Sequence, residues 1–357
     1  MRAVVWGCGG TGKDFLRKKI MNQPYDIVCF TDSNSELWGS RFEGSYDVVP
    51  PEKLCSIACD IIIVCSIYSS NIKEELINRY NTPESKILTY AEINRDICSR
   101  IIQKYKDSDD PEIRKVLEEY KNGIPNILGA YKFNHDVSVV HREIDGMPYI
   151  YFEDKKMFFP RDYDFKVKDD MEVVEDVIYE QGPGSPHLYI PKDKNILKDS
   201  IILDAGVCEG NFSIKYVEDA SFIYLAEADP RWWEPLERTF EPFRDKVMIC
   251  KKYVSGRNNS REITIDQLIK GRLDYMKMDI EGSEVYSLLG AKKTLENNNV
   301  RCSVCSYHRQ NDAEYIQFIF NSYGYKTSYS EGYMFFSFDE NMQDTLDLRR
   351  GIVYAEK

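Results

Sequence analysis

The sequence predicts an α/β protein in which a small, largely parallel sheet unit precedes a larger doubly wound one. Three observations predict it. From residue 200 onward, short apolar runs alternate with helical patterns, as in a parallel sheet wound on both faces. The same strand–glycine–helix order occurs twice, at residues 3–20 and at Ser200–Ser213. Finally, 357 residues are too many for one average core.

The organising stretch is SIILDAGVCEGNFS (Ser200–Ser213). Ile201, Ile202 and Leu203 form an apolar strand that stops at Asp204, and a helix pattern starts near Glu209. Between them, Gly206 and Gly210 let a ligand approach the backbone, and the helix start offers free N–H groups. This order makes a nucleotide site. Its acids, Asp204 and Glu209, and the missing G-x-G-x-x-G spacing set it apart from a dinucleotide site. Pyrophosphate would be repelled there, whereas the ammonium and sulfonium groups of S-adenosylmethionine would be attracted. A further acid, Glu227, follows strand Phe222–Leu225, where it would hold the two ribose hydroxyls. The bland alternative is an ordinary α/β turn with acids nearby.

Composition bounds the function. Charged residues make up 30% and hydrophobic residues 43%, ordinary for a water-facing globular protein. A net charge of -12 disfavours nucleic acid or an anionic membrane as partner. Met1 is expected to run straight into a strand, without a signal peptide, and no apolar run approaches a membrane span. The ten cysteines are therefore expected to lie reduced in the cytoplasm. Cys302 and Cys305 have half of a zinc-site spacing, but in a strand that odd spacing points them to opposite faces.

Taken in order, residues 1–92 read as one α/β unit. Strand Ala3–Trp6 leads into Gly7-Cys8-Gly9-Gly10-Thr11-Gly12, a G-x-G-x-x-G match, then a helix through Phe15, Leu16 and Ile20. Strand Ile27–Phe30 closes at Asp32, so Gly7, Gly9, Gly12 and Asp32 are the candidate nucleotide contacts. Strands Asp60–Ser66 and Lys86–Tyr90 follow, with a helix at Ile72–Tyr80 between them. No histidine lies in residues 1–92, and no hydride-transfer constellation is visible. This region resembles the small Rossmann-like N-terminal domains of bacterial polysaccharide-biosynthesis proteins, which implies nucleotide or nucleotide-sugar binding, or a scaffold. Residues 93–145 read as a helical connector, with two helices broken at Lys106–Glu112 and a potential role in dimerisation. Residues 146–357 form the larger unit. It opens with a β-hairpin at Pro148–Pro160. A turn-rich loop follows at Glu180–Tyr189, carrying His187; it is either an ordinary surface turn or the cover of a site. Beyond Glu227 come a helix through Trp233 and Leu236, strand Val247–Val254, strand Leu273–Ile280, helix Glu284–Glu296, strand Arg301–Tyr307 and helix Asp312–Tyr323. The tail has two β-like runs, Gly332–Phe338 and Gly351–Glu356.

Three blocks now stand out: Asp204-Ala-Gly206-Val-Cys-Glu209-Gly210-Asn-Phe-Ser213, Ala226-Glu227-Ala-Asp229-Pro230, and Lys277-Met-Asp279-Ile-Glu281-Gly282-Ser-Glu284. They resemble the signature blocks of FkbM-family S-adenosylmethionine-dependent methyltransferases over about residues 180–357. The first block departs from the family at Val207 and Cys208, where Ala-Asn is more usual. The resemblance implies a class I methyltransferase sheet, parallel with an antiparallel hairpin at its end. It also implies O-methylation of sugar or natural-product hydroxyls, as in polysaccharide biosynthesis. The cofactor is then expected on Asp204, Gly206, Glu209, Gly210, Glu227, Asp229 and Ser255.

Methyl transfer from a sulfonium needs alignment and a proton acceptor. His308, after the fifth strand, is the expected base, with Asp279 beside it and His187 as the alternative. Histidine suits the role because an unperturbed imidazole is mostly neutral at pH 7. Asp279 and Glu281 could also hold a divalent cation. The competing functions are an NAD-dependent oxidoreductase or epimerase of nucleotide-sugars, working from residues 1–92, and a non-catalytic nucleotide sensor.

Overall fold

The computed structural model describes residues 1–132, 141–143, 145–163, 178–190 and 197–357. His135, one of the four histidines, lies outside these residues. Compact units divide the chain elsewhere than at 92 and 145. One comprises Met1–Ala130 with Phe335–Leu348, the other Tyr131–Met334 with Arg349–Lys357.

In the first unit the strands are β1 (Arg2–Trp6), β2 (Asp26–Thr31), β3 (Arg41–Phe42), β4 (Tyr46–Val49), β5 (Ile61–Val64) and β6 (Ile87–Thr89). They lie in the order β3-β4-β2-β1-β5-β6, parallel except for the β3/β4 pair. Buried Val4, Trp6, Ile62 and Val64 form the core beneath helix α3 (Ser69–Asn78). The first helical pattern breaks at Lys18 into α1 (Gly10–Arg17) and α2 (Lys19–Asn22).

The expected connector helices exist, as α4 (Tyr90–Tyr105) and α5 (Pro111–Tyr120), but they belong to this unit. Thr89 and Glu92 close a reciprocal capping box on α4. Asp110 caps α5, with Pro111 at its first position. The chain segment 335–348 is stitched to the same helices. Lys104 pairs with Asp347 at 2.7 Å, the Leu348 amide donates to the Tyr105 hydroxyl, and Phe335 donates to the Ile127 carbonyl. The run Gly332–Phe338 is not a strand because past Met334 its backbone groups serve the first unit: Phe335 donates to Ile127, and the Ser337 carbonyl accepts the Ile20 amide.

The second unit starts with the small antiparallel sheet β7 (His141–Arg142), β8 (Pro148–Phe152) and β9 (Lys155–Phe158). Glu153 and Asp154 make the expected hairpin turn, both with φ near +50 to +60°. Its main sheet has β10 (Ile201–Ala205), β11 (Phe222–Ala226), β12 (Val247–Cys250), β15 (Tyr275–Met278), β16 (Arg301–Cys305), β17 (Lys326–Tyr329) and β18 (Ile352–Glu356). Two short strands, β13 (Tyr253–Val254) and β14 (Glu262–Ile263), pair separately, so the expected strand Val247–Val254 is split.

The order is β12-β11-β10-β15-β16-β18-β17, the first five parallel and β18 antiparallel to both neighbours. Its closing antiparallel partner is thus β17, not Gly332–Phe338. Chain order reverses between β10 and β15, and at such a switch point an open α/β sheet leaves a crevice beyond the strand ends. Helices α6 (Asn211–Tyr216), α7 (Pro230–Thr239), α8 (Ile265–Leu268), α9 (Glu284–Leu289), α10 (Lys292–Asn297) and α11 (Asp312–Ser322) flank it. The expected helix Glu284–Glu296 breaks between α9 and α10, where a Cβ on Gly290 would sit 2.7 Å from the Ser255 carbonyl oxygen.

Candidate active site at the switch point

Gly206 sits at the crevice with φ +76°, and a Cβ there would lie 1.6 Å from the Asp279 carbonyl oxygen. Only glycine allows the turn after β10 to pass this close to the end of β15. The Asp279 amide donates to the Ala205 carbonyl, so the two strand ends are locked together. Gly210, also left-handed, has another task. A Cβ on it would crowd Phe240 and Leu236 at 3.1–3.2 Å, so it packs the start of α6 against α7.

Glu227 lies just past β11, buried, and its carboxylate spans the turn. One oxygen accepts the Cys208 amide at 2.8 Å and the other the Asp229 amide at 2.7 Å. The Trp233 indole donates to its backbone carbonyl. Each carboxylate oxygen retains a second lone pair, enough for a vicinal diol. Asp229 caps α7 through the Arg231 amide. Ser255 is engaged elsewhere: its hydroxyl donates to Glu262 at 3.0 Å, and its amide holds the β14 strand end. The structure shows no link from Ser255 to Glu227.

Asp204 faces inward. It pairs with Lys277 at 3.0 Å and accepts the Ser213 hydroxyl at 2.6 Å, with all three side chains buried. Lys277 also donates to the Gly206 carbonyl and stands over the Tyr189 ring. Burial alone would pull its pKa down, but Asp204 and Asp279 outweigh it and hold the ammonium charged. Sequence reading gave Lys277 no role. Its signal was the strand period: two residues before Asp279 it shares that residue's face, and Asp204 is its cross-strand partner. Glu209 is buried in the same turn, and burial, with Glu180 and Asp204 nearby, pushes its carboxyl up to about 8.

At the far side of the crevice two histidines flank Asp279. His308 Nε2 lies 3.4 Å from Asp279 Oδ1, and His187 Nε2 lies 3.3 Å from Oδ2. Behind each ring stands a carboxylate: Glu284 at 3.1 Å from His308 Nδ1, Glu180 at 3.0 Å from His187 Nδ1. Burial would keep both imidazoles neutral, but these acids outweigh it. His308 is raised to about 9 and His187 well above its ordinary value. Asp279, though buried, is held well below the carboxylate range by His187 and His308. The expected neutral histidine is therefore corrected: His308 rests as an imidazolium at pH 7, because three carboxylates surround it.

The loop carrying His187 is no surface turn. His187 is 4% exposed, wedged against Tyr189, Tyr307 and the Cys305 thiol at 3.4 Å. The Tyr189 hydroxyl donates to Asp279 at 2.7 Å, and the Tyr307 hydroxyl reaches it at 3.4 Å. Of the remaining described histidines, His141 stacks on Tyr149 in the small sheet. Among the described residues, two groups of donors lie close enough to share a cation, His187–Asp279–Cys305 and Asp279–Glu284–His308. Asp279 belongs to both and Glu281 to neither; its exposed carboxylate stands 3.7 Å from His308 on the open side.

In the first unit, Gly7 and Gly12 are packing glycines: a Cβ on Gly7 would strike the Cys65 carbonyl, and one on Gly12 the Gly7 carbonyl. Gly9 faces open space. Asp32 accepts the Cys8 amide at 2.7 Å.

A doubly wound sheet in this order, with a glycine turn locked to the fourth strand and an acid after the second, defines the second unit as a methyltransferase-type α/β domain. Residues 179–327 match the model of the Methyltransferase FkbM domain, and this segment is a methyltransferase domain of that type. Residues 1–88 match the model described as C2185-like, N-terminal. No curated protein matches the chain. Among solved structures, the chain is similar to a Methyltransferase FkbM from Methylobacillus flagellatus KT, with 13% identity over 99% of this chain and 89% of that one, at a TM-score of 0.50. An rRNA methylase from Streptococcus thermophilus is 16% identical over 45% of this chain and 89% of its own, TM-score 0.31. The magnesium protoporphyrin IX methyltransferase of Synechocystis PCC 6803, solved with bound SAM, is 12% identical over 45% and 71%, TM-score 0.30.

Proposed function

We propose that the second unit transfers the methyl group of S-adenosylmethionine to a hydroxyl of a sugar-containing acceptor. One observation carries the reading: Glu227, held by two amides across the Gly206 turn, and the Asp279–His308 pair lie at the neighbouring ends of β11, β10, β15 and β16. S-adenosylmethionine would supply a methyl group already activated by its sulfonium. What remains for the protein is to bind, align and take a proton. Glu227 suits the ribose diol, and the buried Glu209 carboxyl, neutral at pH 7, would give up its proton to meet the cationic amino-acid end of the cofactor.

The proton acceptor is the His308–Asp279 pair, acting after His308 has lost its resting proton. His308 is favoured over His187 because its Nε2 faces the open side marked by Glu281, whereas His187 is enclosed by Glu180, Cys305 and two tyrosines. Two imidazolium charges already neutralise Asp279, which leaves a divalent cation on Asp279 and Glu281 little to gain. Among the described residues no helix is long and apolar enough to cross a membrane. A reducing cytoplasm suits the ten cysteines, all free thiols.

The test incubates the full chain with methyl-labelled S-adenosylmethionine and a panel of oligosaccharides and sugar nucleotides. Label on a sugar oxygen supports the reading. Label on nitrogen or carbon acceptors only would contradict the O-methyl assignment.

A further inference from the structure

The two units hold the same hydrogen-bonded device after their second strands. In the second, Glu227 accepts the Cys208 amide at 2.8 Å and the Asp229 amide, two residues on, at 2.7 Å. In the first, Asp32 accepts the Cys8 amide at 2.7 Å and the Asn34 amide, again two residues on, at 2.9 Å. Both acids follow the strand paired in parallel with the one that feeds the glycine turn, and in both the donor is a cysteine of that turn. The carboxylate is thereby fixed with one free lone pair on each oxygen, the arrangement that receives a vicinal diol.

A cavity of about 380 Å³ opens beside this acid in the first unit, lined by Trp6, Gly7, Asp32, Ser66, Tyr68 and Glu75 among others. Gly9, with no atom within 4 Å of a Cβ position, leaves the turn approachable. Tyr68 is 67% exposed, a ring available for stacking on a base. The charges say which nucleoside. The lining carries two carboxylates, Asp32 and Glu75, and none of its residues is lysine or arginine. Lys13 and Lys18 on the adjoining helix turn are paired to Glu43 and Asp14. A diphosphate would meet negative potential there, whereas a neutral or cationic nucleoside would not.

We propose that the first unit is a second nucleoside site, taking a phosphate-free ribonucleoside whose diol sits on Asp32 and whose base stacks on Tyr68. Adenosine and S-adenosylhomocysteine share this chemistry; NAD and UDP-sugars do not. If S-adenosylhomocysteine is the occupant, the chain reads its own methyl-transfer product at a site apart from the catalytic one, a step that rests on the function proposed above.

Calorimetric titration of the full chain tests it, with adenosine, S-adenosylhomocysteine, NAD and UDP as probes. Adenosine or S-adenosylhomocysteine should bind a site that Asp32→Ala weakens at least tenfold and that Glu227→Ala leaves intact. Tyr68→Ala changes an exposed side chain, so folding is not at stake, and it should weaken the same site about fivefold or more. Binding of adenosine alone identifies a free nucleoside as occupant; binding of S-adenosylhomocysteine at two sites per chain identifies the product. The proposal is overturned if neither Asp32→Ala nor Tyr68→Ala alters any isotherm, or if only the phosphate-bearing probes respond to them. Failure of the methyltransferase reading looks different: Glu227→Ala would then change nothing while the Asp32 site persisted.

Discussion

At the scale of the residue, the proposed chemistry turns on three groups. Glu227 is the first. Its replacement by alanine would remove both proposed diol contacts and release the Cys208 and Asp229 amides, so S-adenosylhomocysteine affinity should fall by roughly 2–4 kcal/mol. Isothermal titration reads this directly, and unchanged affinity would remove the residue from the cofactor site. His308 is the second. Its pKa is raised to about 9 in the fold from an ordinary 6.5. Folded-state protonation therefore stabilises the chain fully below about pH 6.5, and that contribution is lost as pH rises through about 9. Catalysis runs the other way, since only the deprotonated ring accepts a proton. kcat/KM should climb with pH, half-maximal near 9 and level only above it, and His308→Asn should lower turnover by about 10²–10⁴-fold and abolish that limb. A pH profile with the limb intact in His308→Asn would assign the proton to another group. The third is Glu209, whose carboxyl is raised to about 8 from 4.5. The unfolded chain ionises it first, so its cost to stability appears above pH 4.5 and is complete above 8. Glu209→Gln should flatten the fall in melting temperature across that window, and an unaltered pH dependence would contradict the buried, neutral acid.

Elements explain how much of this was legible. Strand–glycine–helix order, the acid after each second strand and the K-M-D-I-E-G-S-E block are local patterns. They placed Gly206, Glu227 and Asp279, and the apolar run Cys302–Tyr307 placed His308 at the end of the fifth strand. What distance in sequence hides is who stands behind whom. Glu180 behind His187, Glu284 behind His308 and Lys277 behind Asp204 are cross-element pairs, so the protonation state of His308 followed from none of the local signals. The tail misled for a similar reason: Gly332–Phe338 alternates like a strand, but past Met334 its backbone partners are the Ile127 carbonyl, which accepts the Phe335 amide, and the Ile20 amide, which donates to Ser337. Gly210 fits a ligand turn by its sequence, yet its space is filled by Phe240 and Leu236. Gly206 is the strictest element-scale test. A methyl group there meets the Asp279 carbonyl at 1.6 Å in a left-handed backbone, so Gly206→Ala should destabilise the second unit by several kcal/mol. Gly9→Ala, in open space, should be nearly silent in the same thermal scans. Equal effects would mean the β10 turn is not locked to β15 as described.

On the scale of the whole molecule, two compact units share one chain that crosses between them twice beyond Ala130, at Met334 and at Arg349. Thermal unfolding should accordingly depart from a single two-state transition. S-adenosylhomocysteine at a hundredfold excess over its Kd should raise the transition of the second unit by the equivalent of about 2.7 kcal/mol. A Glu227→Ala chain should lose that shift. The account as a whole rests on the crevice at the β10–β15 switch point being a methyl-transfer site. Its most direct test is the rate of S-adenosylhomocysteine formation by the full chain, in the presence of glycan acceptors, compared among wild type, Glu227→Ala and His308→Asn. The account predicts acceptor-dependent turnover in the wild type, loss through weakened cofactor affinity in Glu227→Ala, and loss of turnover with cofactor affinity intact in His308→Asn. Acceptor-dependent turnover that neither substitution diminishes would contradict it.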